Sequence, residues 1–446
     1  MTAEVAVMNK QAIALAADSA ITFQEETGQK IFTSASKIFT LSKYQPVGIM
    51  VYGSADFMQV PWETIIKVYR NNLGKKTFKT VADYAKNFLT FVGKEKQLFS
   101  DDVQNWYVEN SIYSYFLLIA EKIIENVDKA IEIKGGINEG TTKKIISDVI
   151  TQHFEKWQEA EPISSIPDSF RDDLKQKYGN LILRAKKEVF EKLPLTPNSS
   201  DKLTEIAINL FTKFLTGLMV RNTSGIVIAG FGTEDIFPVL ESFSIEGKID
   251  NYLKYKKNEE GCAEISFQNN ATIMPFAQTE MVSTFMTGAD PNYHNAIDTD
   301  MEQIFISYPQ VLVDNIDCLS DEEKENLKKH LKEIGQKEFN KYREKLLEYR
   351  TKHYINPVMK VVQGLPKDEL AAMAETLISL TSFKRRVSME EETVGGPIDV
   401  AVISKGDGFV WIKRKHYFQR ELNQQFFANY YEGGDINGTK TTEKAD

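Results

Sequence analysis

Cysteine is nearly absent: Cys262 and Cys318 are the only two in 446 residues, and they stand far apart. That rules out a disulfide framework, and neither thiol has a partner at metal-ligand spacing. Histidine is as scarce, with His153, His294, His330, His353 and His416 scattered and forming no zinc signature. No apolar run approaches the length of a membrane span, and no secretory signal pattern opens the chain. Excess basic charge is missing too. The formal charge of −9 argues against non-specific binding to nucleic acid or to anionic membrane. Few thiols and no export pattern make the cytoplasm the expected compartment. No metal and no other cofactor is expected.

What is present is ordinary globular material, 42% hydrophobic and 26% charged, ample for a core. The length suggests one large domain with insertions, or two or three domains. Apolar runs at Val5–Val7 and Ile13–Ala17, joined across Asn9-Lys10, read as strands, as do Ile31–Leu41 and Val47–Tyr52. The spacing predicts a helix over Ala55–Tyr69, with Pro61 in its first turns or at a kink, and another over Val81–Val92. Strand patterning then stops. Ile112–Val127, Lys143–Trp157, Phe170–Leu193 and Leu203–Leu218 read as amphipathic helices. Strands return at Gly225–Phe231, Val239–Ile245, Ala263–Phe267 and Thr272–Phe276, followed by a short helix over Thr279–Met286. A helical stretch over Ala296–Val362 and an amphipathic helix over Asp368–Thr381 come next, then a hairpin of Pro397–Ser404 and Gly408–Lys413. The polar tail, residues 432–446, is expected to be disordered. Without the two long helical stretches, the order of elements describes a layered α+β domain, two sheets with helices outside.

Thr2 is the residue that points to chemistry. A small second residue permits removal of Met1, and that would leave a hydroxyl and a free α-amine on one backbone unit. Taken alone, Thr2 reads as an incidental residue on an edge strand. Three motifs set it in other company. Asp18 lies in Leu15-Ala16-Ala17-Asp18-Ser19-Ala20-Ile21-Thr22, Lys37 opens Lys37-Ile38-Phe39-Thr40-Leu41, and Gly53 sits in Ile49-Met50-Val51-Tyr52-Gly53-Ser54-Ala55-Asp56.

With these motifs the chain resembles the proteasome β-subunit and the HslV-type peptidases, which are N-terminal-nucleophile (Ntn) hydrolases. Thr80–Lys86 is similar to the family's second helix, and Gly225–Gly230 to the strand that resumes after it. The resemblance implies an α+β fold, the four-layer αββα sandwich of two antiparallel sheets. Residues 1–97, 221–288 and 366–431 would form this discontinuous core, with helical insertions at 98–220 and 289–365. It also implies roles. Thr2 Oγ attacks a carbonyl and its α-amine takes the proton; Lys37 eases deprotonation and Asp18 orients Lys37. Gly53 offers its N–H to the oxyanion, and Thr22 and Ala55 line the substrate strand. The family's supporting serine and aspartate find only loose counterparts in Thr279, Glu391 and Thr393. Lys30-Ile31-Phe32 competes for the lysine motif, though the spacing to Gly53 favours Lys37.

The chemistry coheres by itself. An α-amine titrates near roughly 7.7–8.0, and a neighbouring ammonium lowers that further. An oxyanion donor of the Gly53 kind is worth about 3 kcal/mol. The expected function is therefore threonine-type hydrolysis of amide bonds, chiefly in peptides or proteins. The resemblance extends to a homo-oligomer or ring, and the insertions to a partner-protein platform. Two alternatives stay open: a catalytically inactive proteasome-like scaffold, and an Ntn amidohydrolase acting on small amides. Elsewhere, Gly230-Phe231-Gly232 lacks the third glycine of a phosphate loop and reads as a strand-end turn. Lys413-Arg414-Lys415-His416 reads as a solvated edge, and Glu390-Glu391-Glu392 as a charged loop.

Overall fold

The computed structural model of the chain describes residues 2–25, 28–215, 223–389 and 394–425. Its central strands are, in chain order, β1 (Ala3–Asn9), β2 (Ala12–Ala17), β3 (Ile38–Thr40), β4 (Val47–Gly53) and β5 (Ser224–Gly230). They continue with β6 (Val239–Ile249), β7 (Tyr252–Lys257), β8 (Ala271–Ala277), β9 (Asp399–Ser404) and β10 (Gly408–Lys413). One sheet runs β8-β1-β2-β9-β10 and the other β7-β6-β5-β4-β3. All neighbouring pairs are antiparallel. The fold is thus α+β, with antiparallel sheets.

Strand pleating explains how the sheets meet. Ala6 and Met8 of β1, with Ile13, Leu15 and Ala17, share one core with Met50, Val227, Ala229 and Leu240 of the other sheet. The alternate residues Ala3, Val5, Val7, Ala12, Ala14 and Ala16 face the opposite way, against helices. Both faces of β1 and β2 are buried, which is why these strands are short continuous apolar runs rather than alternating ones. Asn9 shapes the turn between them. Its Oδ1 accepts from the Gln11 N–H (2.9 Å), and its Nδ2 donates to the carbonyls of Val362 (3.0 Å) and Leu365 (2.9 Å).

The helices are α1 (Trp62–Leu73), α2 (Val81–Lys94), α3 (Asp101–Lys134), α4 (Glu139–Glu159), α5 (Phe170–Val189) and α6 (Pro197–Thr212). After the second sheet come α7 (Glu280–Thr287), α8 (Pro291–Asp314), α9 (Asp321–Arg350), α10 (Asn356–Val362) and α11 (Lys367–Val387). Helix α11 lays Leu370, Ala371, Ala374, Leu377 and Ile378 on the alanine-rich face of β1 and β2. Helices α1 to α6 form one continuous core with the outer face of the second sheet, through contacts such as Phe170–Tyr252 (4.6 Å) and Tyr107–Phe211 (5.9 Å).

Several boundaries differ from the sequence reading. Helix α1 begins at Trp62, not Ala55, because Asp56–Phe57 and Val60–Pro61 pair as a tiny hairpin through Met58 (φ 50°) and Gln59 (φ 66°). Pro61 stands just before the helix, where its missing N–H disrupts no helical bond. Ile31–Leu41 is not one strand. Its start belongs to a hairpin of Ile21–Glu25 and Gly28–Phe32, and its end to β3. The strand at Ala263–Phe267 shrinks to Ala263–Glu264. The tail, residues 432–446, lies outside the described residues. Among the described residues, no helix is long and apolar enough to cross a membrane.

Candidate active site

Thr2 immediately precedes β1, and β1 lies inside its sheet between β8 and β2, so the edge-strand reading does not hold. Its carbonyl accepts from the Gln278 N–H (3.1 Å), which fastens the start of the chain to the end of β8. Thr2 is only 5% exposed. Its hydroxyl donates to Glu4 Oε2 at 3.2 Å. Residues two apart on a strand share a face, so Glu4 points with Ala6 and Met8 into the space between the sheets.

Asp18 follows β2 directly and collects donors. The Ala3 N–H reaches Oδ1 (3.1 Å), while the N–H groups of Ala20 (3.2 Å) and Gly395 (2.9 Å) reach Oδ2. The Lys37 ammonium completes the set as an ion pair with Oδ1. Lys37 comes from the segment entering β3, where its carbonyl accepts from the Val51 N–H of β4 (2.9 Å). The same ammonium stands 3.3 Å from Glu4 Oε1. The result is a buried row, Thr2–Glu4–Lys37–Asp18, whose members come from both sheets. Glu4, rather than Lys37, receives the Thr2 hydroxyl bond.

Burial drives the electrostatics. Loss of water pushes the Glu4 carboxyl up to about 7, against the pull of Lys37 and the Thr2 hydrogen bond, and the nearby Asp18 charge pushes the same way. Tyr52 of β4 is likewise raised by burial, and the Glu4 charge adds to that. Beside the row, Asp399 at the start of β9 takes the Lys415 N–H (2.8 Å) and forms an ion pair with the Lys415 ammonium. Burial lowers the Lys415 pKa, while Asp399 opposes it. Lys415 is therefore part of the site's charge surroundings and not a solvated edge residue.

The remaining sequence candidates are placed as follows. Gly53 ends β4, two residues past Val51, at φ 81°; a Cβ there would meet the Thr223 carbonyl oxygen at 2.6 Å, which demands glycine. Ala55 lies in the turn after β4, its carbonyl accepting from the Trp62 N–H (3.2 Å). Thr22 pairs with Ile31 in the small hairpin that follows β2. Thr279 heads α7 with its side chain exposed and making no cap. Glu391 and Thr393 lie outside the described residues, but the loop just after them reaches the site. Gly395 donates to Asp18, and Gly396 (φ 79°) presses against Thr33, where a Cβ would lie 2.7 Å from the threonine's own Cβ. Of the two competing lysines, Lys37 is the buried one and Lys30 is exposed.

Sequence reasoning missed Glu4 and the Asp399–Lys415 pair. Glu4 carried a signal nonetheless: a glutamate in a strand otherwise apolar to Met8, two residues from Thr2 and so on its face. Among the described residues, no group of three or more metal-ligating side chains occurs. No protein-family model matches the chain, and no curated protein matches it.

Proposed function

We propose that this chain is a threonine-type amide-bond hydrolase with an Ntn-hydrolase αββα sandwich, acting as a proteasome-like peptidase through Thr2 once Met1 is removed. The supporting observation is the buried row Thr2–Glu4–Lys37–Asp18, which joins a would-be N-terminal hydroxyl to a lysine held between two carboxylates. In this reading Thr2 Oγ1 attacks the carbonyl carbon and forms an acyl ester that water later hydrolyses. Asp18 fixes Lys37, whose ammonium stabilises negative charge as the hydroxyl loses its proton. Gly53 at the end of β4 offers its N–H to the oxyanion.

Two measurements test this. The intact mass of the purified protein should lack Met1, because a retained Met1 blocks the α-amine. An epoxyketone probe, which needs both hydroxyl and amine, should label wild type and leave Thr2→Ala unlabelled. Equal labelling of the two proteins would end the proposal.

A second reading is a catalytically silent proteasome-like scaffold. It draws on the engagement of Lys37 by two carboxylates and of the Thr2 hydroxyl by Glu4. That protein would lose Met1 or keep it, yet never label. Small amides stay beside peptides as candidate substrates, and competition between the two classes for the labelled site ranks them.

A further inference from the structure

We propose that Glu4 is a catalytic residue of this site, accepting the Thr2 hydroxyl proton as the nucleophile attacks. The inference rests on the threonine-hydrolase reading and adds to it a base other than the α-amine. Three observations carry it. First, Glu4 Oε2 is the acceptor of the Thr2 Oγ1 hydrogen bond at 3.2 Å, so the proton has a path already drawn. Second, the Glu4 side chain is fully shielded from water and belongs to an interior strand. Strand pairing on both sides of β1 fixes the backbone that holds the carboxylate between the sheets. Third, it is the other oxygen, Oε1, that faces the Lys37 ammonium, at 3.3 Å. That geometry tunes the carboxylate without consuming the oxygen that faces Thr2.

The step balances. As Thr2 Oγ1 bonds to the substrate carbonyl carbon, its O–H bond breaks, the proton passes to Glu4 Oε2, and the carbonyl electron pair moves onto the oxygen. When the oxyanion collapses, the C–N bond breaks and Glu4 gives that proton to the leaving nitrogen. Water then attacks the ester and yields a proton to Glu4, which returns it to Oγ1 as the acyl–oxygen bond breaks. One water is consumed, and Lys37 stays paired with Asp18 throughout.

The charged and titratable groups around Glu4 set the pH at which it can serve. Lys37, entering β3, pulls its pKa down; Asp18, after β2, pushes it up; Tyr52 of β4 is a neighbour whose own ionisation Glu4 opposes. Lys415 and Asp399 act at the next remove through Lys37 and Asp18. With burial the largest influence, Glu4 titrates at about 7. The α-ammonium freed on Thr2 adds one more cation, so in the processed protein the midpoint falls at or below that value. Only the ionised form accepts a proton, so acylation should rise with pH through this midpoint and then level.

The test follows acylation of Thr2 in the full chain by a β-lactone probe, located by mass spectrometry, from about pH 5 to about pH 9. Wild type should show the rising limb. Glu4→Gln should acylate about 100-fold more slowly or worse, and without that limb. Glu4→Asp, one methylene shorter, should keep the limb at a rate reduced about tenfold. If Glu4→Gln keeps the wild-type limb at a rate within about threefold, the α-amine is the base and the Glu4 assignment falls while the Thr2 reading stands. If Glu4→Gln does not fold, a wild-type rate in Glu4→Asp overturns the assignment in its place. An unlabelled Thr2 in wild type, or labelling undiminished in Thr2→Ala, overturns the nucleophile reading and this inference with it.

Discussion

Glu4 couples the stability of the protein to pH in a direction opposite to most carboxylates. Its carboxyl titrates at about 7 in the fold against an ordinary value of 4.5, so the folded state holds its proton more tightly. The stabilising contribution is fully present below about 4.5 and is lost as pH rises through about 7. The loss is about 3 kcal/mol. Glu4→Gln cannot titrate, so it should gain stability relative to wild type between about pH 5 and about pH 8, as read from urea unfolding at each pH. A constant difference across that range would mean Glu4 keeps an ordinary pKa. The residue also marks how far sequence can be read. Thr2, Asp18 and Lys37 stand in recognisable motifs, and the structure brings them together. Glu4 belongs to no motif, and its importance appears only once the pleat of β1 aims it at Lys37.

Helix α11 shows what an amphipathic pattern does and does not reveal. Its apolar spacing was legible, and it covers β1 and β2 with Leu377 buried at 2% exposure. Leu377→Ala should lower unfolding free energy by about 2–5 kcal/mol in urea titrations. Because α11 backs β1, which bears Glu4, and β2, which leads into Asp18, β-lactone acylation of Thr2 should fall along with stability. A change below about 0.5 kcal/mol would mean the helix is not holding that face. Strands β1, β2, β5 and the β9–β10 hairpin were legible for the same reason, as apolar runs between turn residues. The start of α1 was not. Met58 and Gln59 adopt positive φ without glycine or asparagine, so the small hairpin they close leaves no trace in residue type. Likewise, the length of α3 was hidden because apolar side chains also stand on its exposed face, Leu117, Leu118, Ile124 and Ile133 among them, which blurs the helical period.

The first two strands and the segment from Gly395 into β9 meet at the site. Strand β2 pairs with β9, Ala17 opposite Asp399, and the Gly395 N–H holds the Asp18 carboxylate. A chain stopped after Met389 loses both, leaving β2 with an open edge and Asp18 short of one donor. Its Thr2 should resist acylation by the β-lactone probe, and labelling at the full-length rate would show that the site forms without β9 and β10. The same arrangement bears on synthesis. Glu4, Asp18 and Lys37 leave the ribosome soon after Thr2, but Gly395 and the β9 partner of β2 emerge hundreds of residues later, so a nascent chain carries the row without its last support. Under the proposed function, cleavage by a nascent chain is therefore deferred until β9 has been made and paired with β2.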